Sequence, residues 1–170
     1  IAITENGQIV ESLYSSQAEV LLRHDLESSS DETLSASILS LCEKTLLQFK
    51  AKGEELGVSE WNGIGAAVFR KAKNGSKFLS RMFSQHGLPI GIVSQQVEGQ
   101  LGFLSAQAVA PSYLKQENII SWDLGGGSFQ LTDSSYNVYR GPYGSTHALS
   151  TALSTKNIKF SPAATPHPMS

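Results

Sequence analysis

A chain of 170 residues, 40% hydrophobic and 16% charged, has the size and composition of one globular domain with a core of its own. A formal net charge of −2 favours neither nucleic acid nor an anionic membrane as a partner. The single cysteine, Cys42, excludes an internal disulfide framework, and no apolar run reaches the roughly 18–20 residues that span a bilayer.

Taken in chain order, residues 1–23 read as two or three strands: Ile1 to Thr4, Gln8 to Leu13 and about Ala18 to Arg23, with Asn6-Gly7 as a hairpin signal. Ser29 stands three residues before Glu32, the spacing of a capping box, and predicts a helix start there. The helix carries Leu34, Ile38, Leu41, Cys42, Leu46 and Phe49 at three- and four-residue steps and ends near Gly57. Cys42 falls on this apolar face, as a small buried hydrophobe would. "WNGIGAAVFR" predicts a short buried strand closed by Arg70, and "NGSKFLSRMFSQHG" a helix using Phe78, Leu79, Met82 and Phe83 and stopped at Gly87. "LPIGIVS" reads as a strand, with a helix beginning after Ser94. Then "NIISWDLGGGSFQLTDSSYNVYRG" is strand, glycine loop, strand, turn, strand, and a last helix is expected from Ser145. Strands alternating with helices, with antiparallel signals at both ends, predict a mixed-sheet α/β domain. The strand-like start and the "SPAATPHPMS" close are read as a sign of a longer protein, and the cytoplasm is the default location.

The segment "DLGGGSFQL" has three consecutive glycines where a turn needs one or two. Backbone N–H groups without Cβ atoms suit a phosphate cradle. A strand pattern follows the loop, which separates it from the dinucleotide fingerprint and the Walker A loop, both of which lead into a helix. On this reading Asp123 can hold Mg²⁺ beside bound phosphate and Ser128 can donate a hydroxyl hydrogen bond. The other reading is a glycine-rich turn whose N–H groups Asp123 accepts.

"DLGGGSFQL" is similar to the second phosphate loop of the acetate kinase, sugar kinase, Hsp70 and actin fold. With "FRKAKNGSKFLSRM" at 69–82, "GIVSQQVEGQLGF" at 91–103 and "GPYGSTHAL" at 141–149 in order, the chain resembles the exopolyphosphatase and guanosine pentaphosphate phosphohydrolase family. The resemblance implies the ribonuclease H-like first lobe of an actin-like ATPase fold over residues 1–160, with 161–170 a linker or the start of the next segment. It further implies a phosphohydrolase releasing terminal phosphate from polyphosphate or a guanosine polyphosphate, often as a dimer. Glu98 matches the glutamate that orients or deprotonates the attacking water. Arg70 matches a phosphate-binding arginine, Gly125, Gly126, Gly127 and Ser128 the phosphate loop, and Asp123 the Mg²⁺ carboxylate. Gly144 matches the glycine before the next helix, as a backbone requirement.

The chain departs from that pattern in several places. Gln130 stands where the family commonly has glutamate, Ala66 and Ala67 where it has a hydroxyl, Gln95 where it has glycine, and Val97 where it has an acid. A first D-x-G-S-N-S-type phosphate loop and a second lobe do not occur in this sequence. The alternatives are therefore a degenerate phosphate or nucleotide sensor, or an ATP-dependent kinase lobe. His24, His86, His147 and His167 show no ligand spacing. Trp61 and Trp122 read as packing residues, and the basic run 71–77 as a solvated turn or an aid to steering a polyanion.

Overall fold

The computed structural model describes residues 1–145 apart from Gly7, Ser59 and Ser112, and its architecture is mixed α/β. Strands β1 (Ala2–Glu5) and β2 (Gln8–Ser12) form an antiparallel hairpin. Strands β3 (Gly63–Gly65) and β4 (Ile90–Ile92) pair in parallel, and β5 (Ser121–Leu124), β6 (Phe129–Thr132) and β7 (Val138–Gly141) make an antiparallel sheet in that order. Helices α1 (Leu22–Glu27), α2 (Ala36–Glu55), α3 (Ala67–Lys71), α4 (Gly75–His86) and α5 (Gln95–Val109) stand between them. Among the described residues the strands thus form three small sheets rather than one continuous mixed sheet. The helix expected from Ser145 and the segment 161–170 lie outside the described residues, of which Ser145 is the last. No described helix is long and apolar enough to cross a membrane.

The main core forms where α4 meets α2. Phe78, Leu79 and Met82 lie on one face of α4 and close over Cys42 and Leu88, with Phe69 stacked on Phe78 at 6.1 Å between ring centroids. Gly87 ends α4 with φ 65°, a left-handed conformation that glycine adopts without steric cost. Trp61 lies against Gly53 of α2, where a Cβ would come within 2.1 Å of the indole, so the expected packing role of Trp61 holds.

Four local expectations give way to the structure. The alternation over about Ala18 to Arg23 does not make a strand; Leu22 and Leu26 are one helical turn apart, and both pack onto apolar neighbours as the ends of that turn. The Ser29–Glu32 spacing does not start α2. Glu32 is left-handed at φ 60°, while Ser29 Oγ donates to Asp31 at 2.7 Å and accepts the Thr33 N–H at 3.1 Å, closing a local turn instead. The cap is Ser35, whose Oγ accepts the Ile38 N–H and donates to Asp25 at 2.6 Å. In "GAAVFR" the strand stops at Gly65 and a helical turn begins at Ala67, in keeping with the helix propensity of the alanines. Phe83 and Trp122, read as packing residues, are 61% and 69% exposed.

Candidate active site

Two helix starts and the β5–β6 hairpin meet at one place. Ser94 caps α5 by accepting the Val97 N–H at 3.2 Å, which sets Glu98 in the first turn, where the helix dipole favours a carboxylate. Gly99 then lets α5 lie directly on the sheet. A Cβ there would come within 2.7 Å of Val138 and 2.9 Å of Thr132, and Thr132 Oγ1 donates to the Gly99 carbonyl at 3.0 Å. The Gln95 amide donates to the Gly141 carbonyl at 3.1 Å, so the residue standing where the family has glycine ties α5 to β7. Glu98 is thereby fixed at the head of the glycine loop.

Arg70, on α3, donates from Nη1 to Glu98 Oε2 at 2.7 Å and to the Val93 carbonyl at 2.9 Å. The pair is well covered, with 24% of the Arg70 side chain and 13% of Glu98 exposed, so the charge-assisted contact is less screened than a surface bridge. Arg70 in this arrangement holds Glu98 rather than touching the glycine loop.

The loop is a tight connection between β5 and β6, with the Gly125 N–H donating to the Ser128 carbonyl at 3.0 Å. Its carbonyls are engaged from outside: Gly125 accepts the Ser145 N–H at 3.0 Å, and Gly126 accepts Arg23 Nη1 at 2.7 Å. Gly144 lies so near that a Cβ would come within 2.3 Å of the Gly125 oxygen, which makes its glycine a backbone requirement. Ser128 is buried, and its Oγ accepts from the Gln130 amide at 3.4 Å, leaving the hydroxyl hydrogen to be donated elsewhere. Gln130 itself is 1% exposed and pairs across the ladder with Asp123.

Two depressions flank Glu98. A cleft of about 510 Å³ is lined by Gly125, Gly126, Gly127 and Ser128 together with Arg23, Lys71 and Ala66–Phe69. On the other side, Glu98 and Asp123 share a second depression with Ile64, Gly102 and Trp122. The Asp123 carboxylate makes no hydrogen bond or ion pair to another described residue and faces Gly102 of α5. Its chemistry fits Mg²⁺, which takes one or two carboxylates and completes its shell with phosphate oxygens and water. Gln130, an uncharged neighbour, adds no second carboxylate. No group of three or more His, Cys, Asp or Glu side chains suited to a metal occurs among the described residues.

The structure brings Glu98, Arg70 and residues 125–128 together and sets Asp123 one step away, on the far side of Glu98. Arg23 was not among the residues singled out in the sequence. It is 103 positions from Gly126, and nothing local in "LLRHDLE" marks it as a partner of the loop. Of the basic run 71–77, Lys71 lines the cleft, whereas Lys73 is near Glu32 at 3.5 Å.

A model of the Ppx/GppA phosphatase family matches residues 1–158, and the chain belongs to that family. Among solved structures it is similar to the type II variant of the Aquifex aeolicus Ppx/GppA phosphatase, at 20% identity and TM-score 0.65, covering 86% of this chain and 48% of that one. A second Aquifex aeolicus Ppx/GppA family member matches at 22% identity and TM-score 0.58, covering 74% and 42%. An exopolyphosphatase from Cytophaga hutchinsonii matches at 17% and 0.59, covering 70% and 39%. These likenesses show the fold, the actin-like one expected of the family, and the chain spans less than half the length of these structures. No curated protein matches significantly.

Proposed function

We propose that the protein to which this chain belongs is a phosphohydrolase that releases terminal phosphate from inorganic polyphosphate or a guanosine polyphosphate. The observation that carries the reading is the covered Arg70–Glu98 pair at the head of a glycine-loop cleft. Phosphoryl transfer asks mainly for positioning and charge neutralisation, plus one group to orient the nucleophile. The loop N–H groups beyond Gly125, whose own N–H is given to the Ser128 carbonyl, and the Ser128 hydroxyl hold phosphate oxygens. Glu98 orients the attacking water and takes its proton. Arg70 holds the carboxylate of Glu98 in place and, when a multiply charged phosphate arrives, offers it a planar fork. Asp123 would hold Mg²⁺ together with phosphate oxygens, and the ion would offset negative charge on the phosphates.

The test uses the full-length protein with Mg²⁺, following phosphate release from polyphosphate and from guanosine pentaphosphate beside Glu98→Gln. Loss of a general base lowers turnover by roughly 10²–10⁴-fold, so a collapse of that size supports the reading, and the preferred substrate names the specificity. Turnover unchanged in Glu98→Gln would overturn it.

A second reading rests on Gln130. A buried amide beside Asp123 cannot take a proton or supply negative charge, which favours a sensor that binds phosphate without turning it over. Tight phosphate-chain binding with no release from the full-length protein is the outcome that selects it. A large gain in release from Gln130→Glu would mark a decayed enzyme instead.

A further inference from the structure

Of the cations around the glycine loop, two are matched by carboxylates. Arg23 gives its Nε to Glu27 at 2.6 Å, and Arg70 gives its Nη1 to Glu98 at 2.7 Å. Lys71 lines the same cleft, is exposed, and makes no ion pair or side-chain hydrogen bond with another described residue. The other lysines of the basic run do not share its place: Lys73 lies near Glu32 at 3.5 Å, and Lys77, on α4, is outside the lining of the cleft. An unmatched positive charge on the wall of a cleft draws an anion to that wall.

The place of Lys71 follows from α3. Ala67 opens that helix against the glycine loop, where a Cβ at Gly127 would lie 3.6 Å from the Ala67 methyl. Lys71 is four residues on, so it shares the Ala67 face of the helix, about 6 Å further along the axis. Between the loop and Lys71 this wall carries Ala66, Ala67, Val68 and Phe69, none of which can bind an anion through its side chain. A single phosphate held in the loop lies beside those apolar side chains. A second phosphate bonded to it extends along α3 toward the ammonium, which its flexible four-carbon stem can bring to meet it.

We propose that Lys71 is a specificity-determining contact for a run of two or more phosphates: the first sits in the 125–128 loop and the next is met by the Lys71 ammonium, so that the run lies along α3. This rests on the phosphate-loop reading above. The contact has the same chemistry whether the run is free or carried on a nucleoside.

The test is calorimetric binding to the full-length protein with Mg²⁺, unsubstituted and as Lys71→Gln, Lys71→Arg and Lys77→Gln. The ligands are orthophosphate, methylenediphosphonate and guanosine β,γ-methylenetriphosphate, the last two being resistant to hydrolysis at their P–C–P bridge. A charge-assisted contact at an exposed lysine amounts to roughly 5–10-fold in affinity. Lys71→Gln is expected to weaken methylenediphosphonate by that factor and orthophosphate by less than about twofold. A matching loss for the nucleotide extends the contact to a nucleoside-borne run, and a loss for methylenediphosphonate alone assigns it to a free one; both support the proposal. Lys71→Arg, which keeps the charge, should recover most of the loss, and Lys77→Gln should change nothing. An equal loss for orthophosphate would overturn the proposal, since Lys71 would then serve the loop itself. An equal loss from Lys77→Gln would overturn it as well, because a diffuse field would be at work rather than a contact. Unaltered binding of both bridged ligands by Lys71→Gln sinks the inference and leaves the loop reading standing. If the unsubstituted protein binds none of the three, the loop reading falls, and the inference with it.

Discussion

The helical region around α2 and α4 and the β5–β7 sheet are packed by opposite logic. In the first, apolar side chains meet from both sides: Met82 and Phe78 on α4, Cys42 on α2, Leu88 beyond the left-handed Gly87. In the second, one face is filled and the other is left largely open by the described residues. Toward α5 lie Gln130 and Thr132, both buried, with Phe103 of α5 fully buried and edge-on to Tyr136 at 5.4 Å. Away from α5, Trp122, Leu131 and Tyr139 stand in register across the three strands, and Trp122, Leu124 and Tyr139 are more than half exposed. Glu98 and Asp123, the candidate groups, meet on the filled side, so the candidate site depends on how closely α5 can lie on the sheet.

The sharpest way to break this contrast is to remove one large side chain from each region. Met82 is completely buried, and Met82→Ala leaves a cavity in the α2–α4 core. It should cost about 2–5 kcal/mol in urea denaturation. Trp122→Ser, although it deletes a larger group, should change stability by no more than about 0.5 kcal/mol, because most of that ring is already in water. A large loss from Trp122→Ser would show that the outer face is covered in solution.

Gly99 tests the contact that joins the two regions. Alanine there brings a methyl group within 2.7 Å of Val138 and 3.1 Å of the Gln130 Cβ. Overpacking of this kind costs about 1–3 kcal/mol, against a gain of at most about 1 kcal/mol from helix propensity. The distinguishing readout is at the site: Gly99→Ala should weaken phosphate binding to the loop, whereas Met82→Ala should leave it within about twofold at a temperature where both are folded. If the two variants lose stability equally and neither touches binding, the close approach of α5 is not what sets the loop.

Gln130→Glu probes the same face by charge. The new carboxylate would be buried beside Ser128 and between Asp123 and the exposed Arg140, its register partners on the two flanking strands. Burial raises the pKa of such a group. A folded-state pKa above the unfolded one means that stability is lost as pH rises from about 4.3, where free Glu ionises. The expected loss is about 1–3 kcal/mol at pH 7 without metal, and Mg²⁺ should recover part of it if the ion binds beside Asp123.

How much of this was legible in the sequence follows from how local each signal is. The helix α5 begins where Ser94 says it should, the glycine loop lies between two strands, and α4 stops at Gly87, because caps, left-handed glycines and strand alternation act over a few residues. The three short failures between residues 18 and 70 have one cause. At Leu22–Glu27, Ser29–Thr33 and Ala66–Ala67 a local pattern competes with a turn or helix that tertiary neighbours decide, as when Asp25 on α1 takes the Ser35 hydroxyl and thereby selects the cap of α2. Within the site, Glu98, Arg70 and residues 125–128 were visible through their motifs. Their mutual contact was not, since the Arg70–Glu98 bond spans 28 positions and the Arg23–Gly126 bond 103. The outward face of Trp122 was hidden for the same reason: alternation says which residues share a face and is silent on which face is covered.

The smallest expected effect concerns a device that the two regions share. Each has a turn closed by an aspartate: Asp31 before α2, accepting from Thr33 and Ser29, and Asp133 between β6 and β7, accepting from Asn137 and Ser135. Hydrogen bonds to the ionised form favour it, chiefly the Thr33 hydroxyl for Asp31, whose pKa is lowered to about 2, and the Asn137 amide for Asp133, which lies below its ordinary 3.8. A depressed folded-state pKa contributes stability that is complete above the unfolded value and is lost as pH falls through the folded one. Asp31 is exposed and Asp133 lies half-exposed in a surface turn, so solvent screens both and the change in the denaturation midpoint between pH 5 and pH 2 should be slight, and Asp133→Asn should reduce it further. Carboxyl-carbon NMR titration gives the direct check, with Asp31 expected to have its midpoint near 2 and Asp133 below 3.8. If only Asp31 is depressed, the β6–β7 turn is looser in solution than the turn before α2, and the contrast between a tightly held helical region and a half-packed sheet extends to its connections.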